Sequence, residues 1–164
     1  MNLTEERRRA IETHLSRVGV PLGEGFRFDH FGNTANLAAE LGALVASGRK
    51  TATAAYDDVY SHYKIERPQM GDTEIICDFA GSLLAVIEIS DLRVIPFEEV
   101  GADHARLEGE GDRSLEHWRR IHREYFEAEG EAIGVPFSDG SLILCQRFRL
   151  VYSPVCSQIR FAAD

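Results

Sequence analysis

Two stretches of the chain carry side chains that are typical of catalytic and binding sites. The first is Arg49-Lys50-Thr51-Ala52-Thr53, in which a lysine stands close to two hydroxyl groups. The second is Glu108-Gly109-Glu110-Gly111-Asp112, a glycine-punctuated acidic loop. A threonine is a poor nucleophile at neutral pH unless a base lies beside it. Lysine can be that base only where burial lowers its pKa, and a neighbouring carboxylate opposes this by stabilising the ammonium.

The spacing of the first stretch raises a geometric difficulty. Lys50 and Thr53 are three residues apart, so on a regular strand their side chains lie on opposite faces. They converge only if the segment bends as it leaves Gly48. Structural roles are also open: Lys50 suits a helix C-terminus, and Thr51 and Thr53 suit a strand by propensity alone.

Residues of the acidic loop and of the helix predicted after it also suit purely structural roles. Glu110 and Asp112 suit a solvated turn, and the loop does not follow the spacing of an EF-hand. On the helix, Trp118 and His122 share a face with apolar side chains, which is also typical of core residues. The preceding histidine is five residues from His122, which disfavours a shared metal ligand set. We expect no metal and no other cofactor.

The pattern of apolar residues and breakers predicts the elements that position these stretches. Helices are predicted over residues 5–18, from Asn33 or Thr34 to Gly48, over 100–107, and from Ser114 to near Gly130. A hairpin is predicted from strands 73–79 and 83–95, and residues 57–70 suit a short helix or loop. Helices, a hairpin, a helix and a last strand indicate an α+β domain with a small mixed or antiparallel β-barrel and surrounding helices.

The last predicted strand, residues 141–152, has one apolar side and one mixed side. Cys145, Arg147 and Arg149 are predicted on the mixed side, which faces solvent or a pocket. The apolar side is formed by Leu142, Leu144, Phe148, Leu150 and Tyr152.

Length and composition predict one soluble domain. The chain has 164 residues, 44% hydrophobic and 27% charged, which favours a packed core over disorder. We expect an N-terminal helix and loop over residues 1–25, the main domain over 26–152 and a tail over 153–164. No apolar run approaches a membrane span and no secretory signal is apparent. Three cysteines without a CxxC pair predict reduced thiols in the cytoplasm.

The charge balance restricts the class of ligand. The formal net charge is −9, whereas binding to a nucleic-acid backbone requires a basic footprint. Duplex DNA is therefore disfavoured as a partner, and a small or single-stranded ligand is favoured.

Several motifs follow one another along the chain: Phe31-Gly32, Gly48-Arg49-Lys50-Thr51-Ala52-Thr53, Pro68-Gln69-Met70-Gly71-Asp72, the acidic loop within Ala105 to Leu115 followed by Trp118 and His122, and Cys145-Gln146-Arg147-Phe148. In this order they resemble the ASCH domain family, and the resemblance extends from about Phe28 to Tyr152. It implies a PUA-like β-barrel fold. It also implies a nucleoside or single-stranded RNA ligand, because some members cleave single-stranded RNA and compact members remove the acyl group from cytidine acylated on its exocyclic amine.

The resemblance also implies site residues. The catalytic set of the amidohydrolases matches Lys50, Thr53 and Glu108, the last placed by the His104-Ala105 pair. Glu110 stays an alternative because the loop is longer than in compact members. We therefore predict a hydrolase acting on acylated cytidine or single-stranded RNA, with a non-catalytic RNA- or nucleotide-binding module as the alternative. The ligand-binding candidates are Arg49, Tyr56, Glu110, Asp112, Trp118, His122 and Arg147.

For RNA cleavage the same residues would act differently. Lys50, with Arg49 or Arg147, would stabilise charge on the phosphorane. Glu108 would act as a base on the ribose hydroxyl, and Tyr56 or Trp118 would stack on the base.

Overall fold

The computed structural model describes residues 3–23 and 25–154, so the predicted thiol of Cys156 lies outside the described residues. Its strands are hydrogen-bonded in the order β1-β3-β4-β5-β2. In chain order the elements are α1 (Glu5–Arg17), β1 (Arg27–Asp29), α2 (Ala35–Ala46), β2 (Ala52–Tyr56), α3 (Asp58–Tyr63), β3 (Thr73–Cys77), β4 (Leu83–Pro96), a 3₁₀ turn (Phe97–Glu99), α4 (Ala102–Glu108), α5 (Leu115–Ile133) and β5 (Leu142–Tyr152).

The helix boundaries follow local sequence signals. Thr4, Thr34 and Ser114 are the N-caps of α1, α2 and α5, and each hydroxyl oxygen accepts a backbone N–H three residues on. This satisfies one of the donors that a helix N-terminus leaves unpaired. Gly48 follows α2 with a φ of 73°, the left-handed conformation that ends many helices. These predicted starts and this predicted stop are confirmed.

The sheet combines parallel and antiparallel pairs. β1 runs parallel to β3, whereas β3 pairs with β4, and β2 with β5, in antiparallel register. The predicted 73–79 and 83–95 hairpin is confirmed as β3 and β4, and the α+β class with a mixed sheet is confirmed.

The described residues pack as two compact units, each built from separate chain segments. Among the described residues, the first unit draws on 3–23, 25–49, 71–89 and 149–154. Its core packs α1 residues Ile11 and Leu15 against β3 and β4 residues, including Ile75, Cys77 and Val86. No helix among the described residues is long and apolar enough to cross a membrane.

The second unit draws on Lys50–Met70 and Ser90–Phe148, and it contains Lys50, Thr53 and the whole acidic loop. Its core is rich in aromatic side chains and includes residues of β2, α5 and β5. The buried members are Tyr56, Phe97, Val100, Ala105, Trp118, Phe126, Ile133, Ile143 and Cys145.

This core corrects one prediction about β5. Ile143 and Cys145 lie in the core cluster, whereas Leu142 is 45% exposed. The middle of β5 is buried on both faces, since Leu144 and Phe148 are also buried. A strand covered on both sides does not show the simple alternation of apolar and polar positions from which the prediction was made.

The end of α5 is a second correction. The helix continues past Gly130 and ends at Ile133, with Gly134 as its C-cap at a φ of 72°. Gly130 has a packing role: a Cβ at this position would lie 2.5 Å from the Val135 carbonyl oxygen and 3.1 Å from the Phe137 nitrogen. Glycine therefore allows the chain to fold back closely against the last turn of the helix.

Candidate functional site

Lys50 lies where the chain enters β2, beside the C-terminal end of α4. The backbone N–H of Thr51 donates to the carbonyl of Leu107 at 2.8 Å, and its carbonyl accepts from the N–H of Phe148 at 3.0 Å. These bonds tie the segment both to α4 and to β5. They fix the backbone that carries Lys50 next to Glu108, the last residue of α4.

The ammonium of Lys50 contacts two carboxylates. Its Nζ donates to Glu108 Oε2 at 2.7 Å and to Glu110 Oε1 at 2.6 Å. The side chains of Lys50 and Glu108 are each 1% exposed, whereas that of Glu110 is 15% exposed. The inner carboxylate is thus enclosed, and Glu110 is the more accessible of the two.

Glu108 is held on its other oxygen by side chains of α4 and α5. Its Oε1 accepts the indole Nε1–H of Trp118 at 2.8 Å and lies 3.1 Å from His104 Nε2. His104 is one helical turn before Glu108 on α4, so the two side chains share a helix face. A buried carboxylate is tolerated when it is paired and hydrogen-bonded in this way.

His122 completes this arrangement from α5. Its Nδ1 lies 3.0 Å from the Trp118 carbonyl, so Nδ1 must carry a proton to donate there. Its Nε2 lies 3.5 Å from Glu108 Oε1.

The pKa values follow from these contacts. Burial lowers the pKa of Lys50, but attraction to Glu108 and Glu110 and the hydrogen bonds to them outweigh burial, so the pKa is raised overall. Burial raises the pKa of Glu108, but the charges of Lys50 and His122 and the histidine hydrogen bonds hold it well below its usual range. The pair is therefore an ammonium and a carboxylate at neutral pH.

The ring of Trp118 is covered on both faces. It stacks against Phe97, with ring centroids 5.4 Å apart, and against His122 at 4.2 Å. Tyr56 is also buried in the core, at 1% exposure. In this arrangement the Trp118 ring presents no open face to a base, and its contact with the site is the hydrogen bond to Glu108.

The rest of the acidic loop turns the chain from α4 into α5. Gly109 ends α4 with a φ of 75°, and the N–H of Arg113 donates to the Glu110 carbonyl at 2.9 Å. Asp112 Oδ1 accepts the Ser114 N–H at 2.8 Å. The Ser114 hydrogen bonds lower the pKa of Asp112. Asp112 is exposed and serves the start of α5, separately from the contacts of Lys50.

Thr53 lies in β2 directly opposite Gln146 of β5, and it is half-buried. Its neighbour Ala54 packs against the aromatic core. Because strand side chains alternate, Thr53 lies on the face of β2 opposite to Ala54. Lys50 precedes Ala52, the first residue of β2, so this alternation places Thr53, whereas the direction of the Lys50 side chain is set by its bonds to Glu108 and Glu110.

Of the remaining candidates, Arg49 is exposed. Arg147 pairs with Ala52 across the ladder, which places it on the same face of β5 as Cys145. Its Nε lies 4.0 Å from Asp91 Oδ2. Burial, together with the charge of Glu108, raises the pKa of the Cys145 thiol to about 12, so it is no nucleophile at neutral pH.

His104 contacts Glu108 directly but was not among the predicted site residues. Its spacing of four residues from Glu108 on a helix was the available signal. Within residues 3–23 and 25–154, no group of three or more histidine, cysteine, aspartate or glutamate side chains is arranged to hold a metal ion. Lys50 occupies the position between the two glutamates.

A family model for the ASCH domain matches residues 27–152. The chain belongs to the ASCH domain family. This ASCH domain is similar to a crystal structure of an ASCH domain from Lactobacillus crispatus, with 26% identity, a TM-score of 0.80, and coverage of 93% of this chain and 98% of that one. The predicted PUA-like fold is thereby confirmed.

A crystal structure of an Enterococcus faecalis protein shares the fold of this ASCH domain. It has 24% identity, a TM-score of 0.79 and 98% coverage of both chains. No curated protein matches the chain.

Proposed function

We propose that this ASCH domain is a hydrolase that removes an acyl group from the exocyclic amine of a nucleoside such as acylated cytidine. The proposal is carried by the ammonium of Lys50, held between one enclosed carboxylate and one more accessible carboxylate. A fixed cation beside an accessible base is suited to splitting an amide, since charge develops on the acyl oxygen as water attacks.

In the proposed reaction, water attacks the acyl carbon and Glu110 accepts its proton. Lys50 donates a hydrogen bond to the oxygen on which negative charge develops. The bond between the acyl carbon and the exocyclic nitrogen then breaks, and the proton passes from Glu110 to that nitrogen. The products are the free nucleoside and a carboxylic acid. Glu108 acts as a positioning residue, because both of its oxygens hold neighbouring side chains.

Thr53 was expected as a nucleophile from the family resemblance. That mechanism requires a neutral lysine to take the threonine proton, and the raised pKa of Lys50 favours the ammonium instead. We therefore assign the proton transfer to Glu110 and propose that Thr53 contributes to binding. The two mechanisms predict opposite results for the same pair of variants.

The test is hydrolysis of N4-acetylcytidine by the wild type, Glu110→Gln and Thr53→Val, with and without a chelator. Glu110→Gln keeps the shape of the side chain and removes the base, so kcat should fall by about a hundredfold or more. Thr53→Val should retain kcat within about tenfold, and the chelator should have no effect. Glu116→Gln, at an exposed position on the first turn of α5, is the matched control.

Each other outcome identifies a different function or mechanism. Loss of activity in Thr53→Val with activity kept in Glu110→Gln would establish a threonine nucleophile. Cleavage of a labelled single-stranded RNA without deacylation would replace the amidohydrolase by a ribonuclease. Binding of nucleosides without turnover of either substrate would leave the non-catalytic module.

A further inference from the structure

Gln146 is a buried polar residue in an otherwise apolar row. On β5 the even-numbered neighbours Leu144 and Phe148 are 2% and 4% exposed, and Gln146 between them is 5% exposed. A row of this kind packs well with apolar side chains throughout, and an amide there must be desolvated. Gln146 therefore interrupts the apolar packing of this row at one position.

The carbonyl oxygen of this amide has no partner. Gln146 Oε1 is buried and accepts no hydrogen bond within the part of the chain that the structure describes, residues 3–23 and 25–154. Buried polar side-chain atoms without a partner are uncommon in folded proteins, and each needs an explanation. A ligand that supplies an N–H is one explanation, and an ordered water is the other.

The position of Gln146 relates it to the proposed site. Thr53 is its direct partner across the antiparallel ladder. Side chains directly opposite each other lie on the same face, with Cβ atoms roughly 5 Å apart. Thr53 is only half-buried, so a ligand group that reaches Thr53 also comes within reach of the Gln146 amide.

Lys50 is close enough to act on the same molecule. It precedes Thr53 by three residues, and three residues span at most about 10 Å of extended chain. This distance is comparable to the length of a nucleoside. One ligand can therefore contact Gln146 with its base and present a substituent to Lys50.

We propose that Gln146 is a specificity-determining residue that recognises the base. Its Oε1 accepts the N–H of the exocyclic nitrogen, and its Nε2 donates to the adjacent ring nitrogen, N3 in cytosine. The carboxamide is complementary to this edge because it offers one acceptor and one donor side by side. The assignment rests on the proposed function for the reaction, but the recognition of the base can be measured without it.

The test compares N4-acetylcytidine with its 3-deaza analogue, which lacks the ring acceptor, on the wild type and on Gln146→Leu. The wild type should prefer N4-acetylcytidine by about tenfold in KM, the loss expected for one hydrogen bond in a buried site. Gln146→Leu should raise the KM for N4-acetylcytidine about tenfold, keep kcat within about threefold and abolish the preference. Gln69→Leu is the same substitution at an exposed position and should leave the preference intact.

Thermal stability separates recognition from a structural role. Gln146→Leu removes an unsatisfied buried group, so its Tm should be equal to or above that of the wild type. A lower Tm with an unchanged preference for the ring acceptor would overturn the proposal and assign the amide to a structural water. Gln146→Met, of similar length, replaces Gln146→Leu if the leucine variant does not fold.

A binding measurement tests the role of Gln146 if the protein has no hydrolase activity. If the wild type hydrolyses no acylated nucleoside, binding of cytidine and 3-deazacytidine is measured by calorimetry on the same two proteins. A preference for cytidine that Gln146→Leu loses would support base recognition without the hydrolase. The absence of any preference in the wild type would overturn the assignment of Gln146.

Discussion

At the scale of single residues, the site consists of charges that are stable only together. Lys50 and Glu108 are both almost completely buried, and charged side chains are seldom buried unless they are paired. The contacts of Glu108 with Trp118 and His104 add hydrogen bonds that satisfy its second oxygen. Such a pair contributes little net stability compared with apolar residues, but removing one partner is costly.

We therefore expect Lys50→Met to lower the free energy of unfolding by about 3–5 kcal/mol, because it leaves the buried Glu108 carboxylate without its cation. Adding Glu108→Gln to this variant should recover part of the loss, since the uncompensated charge is then absent. Urea unfolding at neutral pH measures both effects. Arg9→Met, which breaks an exposed pair with Glu5, should leave stability almost unchanged. Equal losses of stability in Lys50→Met and Arg9→Met would contradict this explanation.

At the scale of the elements, the sequence predicted those features that depend on neighbouring residues, above all the helix ends. Hydroxyl N-caps and the glycine after α2 marked helix ends correctly, because these signals act within one helical turn. The parallel pairing of β1 with β3 had no such signal, since the paired residues are far apart in sequence. Contact of Lys50 with the acidic loop followed only from the resemblance. The burial of Lys50 and the covered faces of Trp118 depend on tertiary packing, which the spacing of residues along the chain does not reveal.

Strand β3 carries a buried carboxylate whose protonation depends on pH. Glu74 is 5% exposed, and burial together with the charge of Asp29 raises its pKa to about 7. In the unfolded chain it titrates near its ordinary value of 4.5. Between these values the folded state holds a proton that the unfolded state has released. The contribution of Glu74 to stability is therefore complete below about pH 4.5 and is lost as the pH rises through 7.

Glu74→Gln should remove this pH dependence, because glutamine mimics the protonated acid. At about pH 8 we expect the variant to be more stable than the wild type by roughly 2–3 kcal/mol, and the difference should shrink towards pH 4. Urea unfolding across this pH range provides the measurement. Glu88→Gln on the neighbouring strand β4, where the carboxylate pairs with Arg149 at the surface, is the control for charge removal alone. A constant difference at all pH values would show that Glu74 is ionised throughout.

At the scale of the whole molecule, the net charge of −9 opposes anionic ligands. A neutral nucleoside is not affected by this field, whereas a phosphorylated one is repelled until salt screens the interaction. Between about 50 and 500 mM NaCl we expect kcat/KM for N4-acetylcytidine to change less than twofold. The value for its 5′-monophosphate should be lower at low salt and rise with salt. A 5′-monophosphate that is hydrolysed faster at low salt would indicate a positive local field, as a site for RNA requires.

The hydrogen bond from Trp118 to Glu108 also makes the site observable by fluorescence. The chain contains one tryptophan, so its intrinsic emission arises from an indole whose N–H is bonded to the inner carboxylate and whose ring is stacked on His122. A charge that shifts within a few ångströms of an indole changes its emission wavelength and intensity. Ligand entry beside Lys50 can therefore be followed in real time on the unlabelled protein, and no chromogenic or fluorogenic substrate is needed.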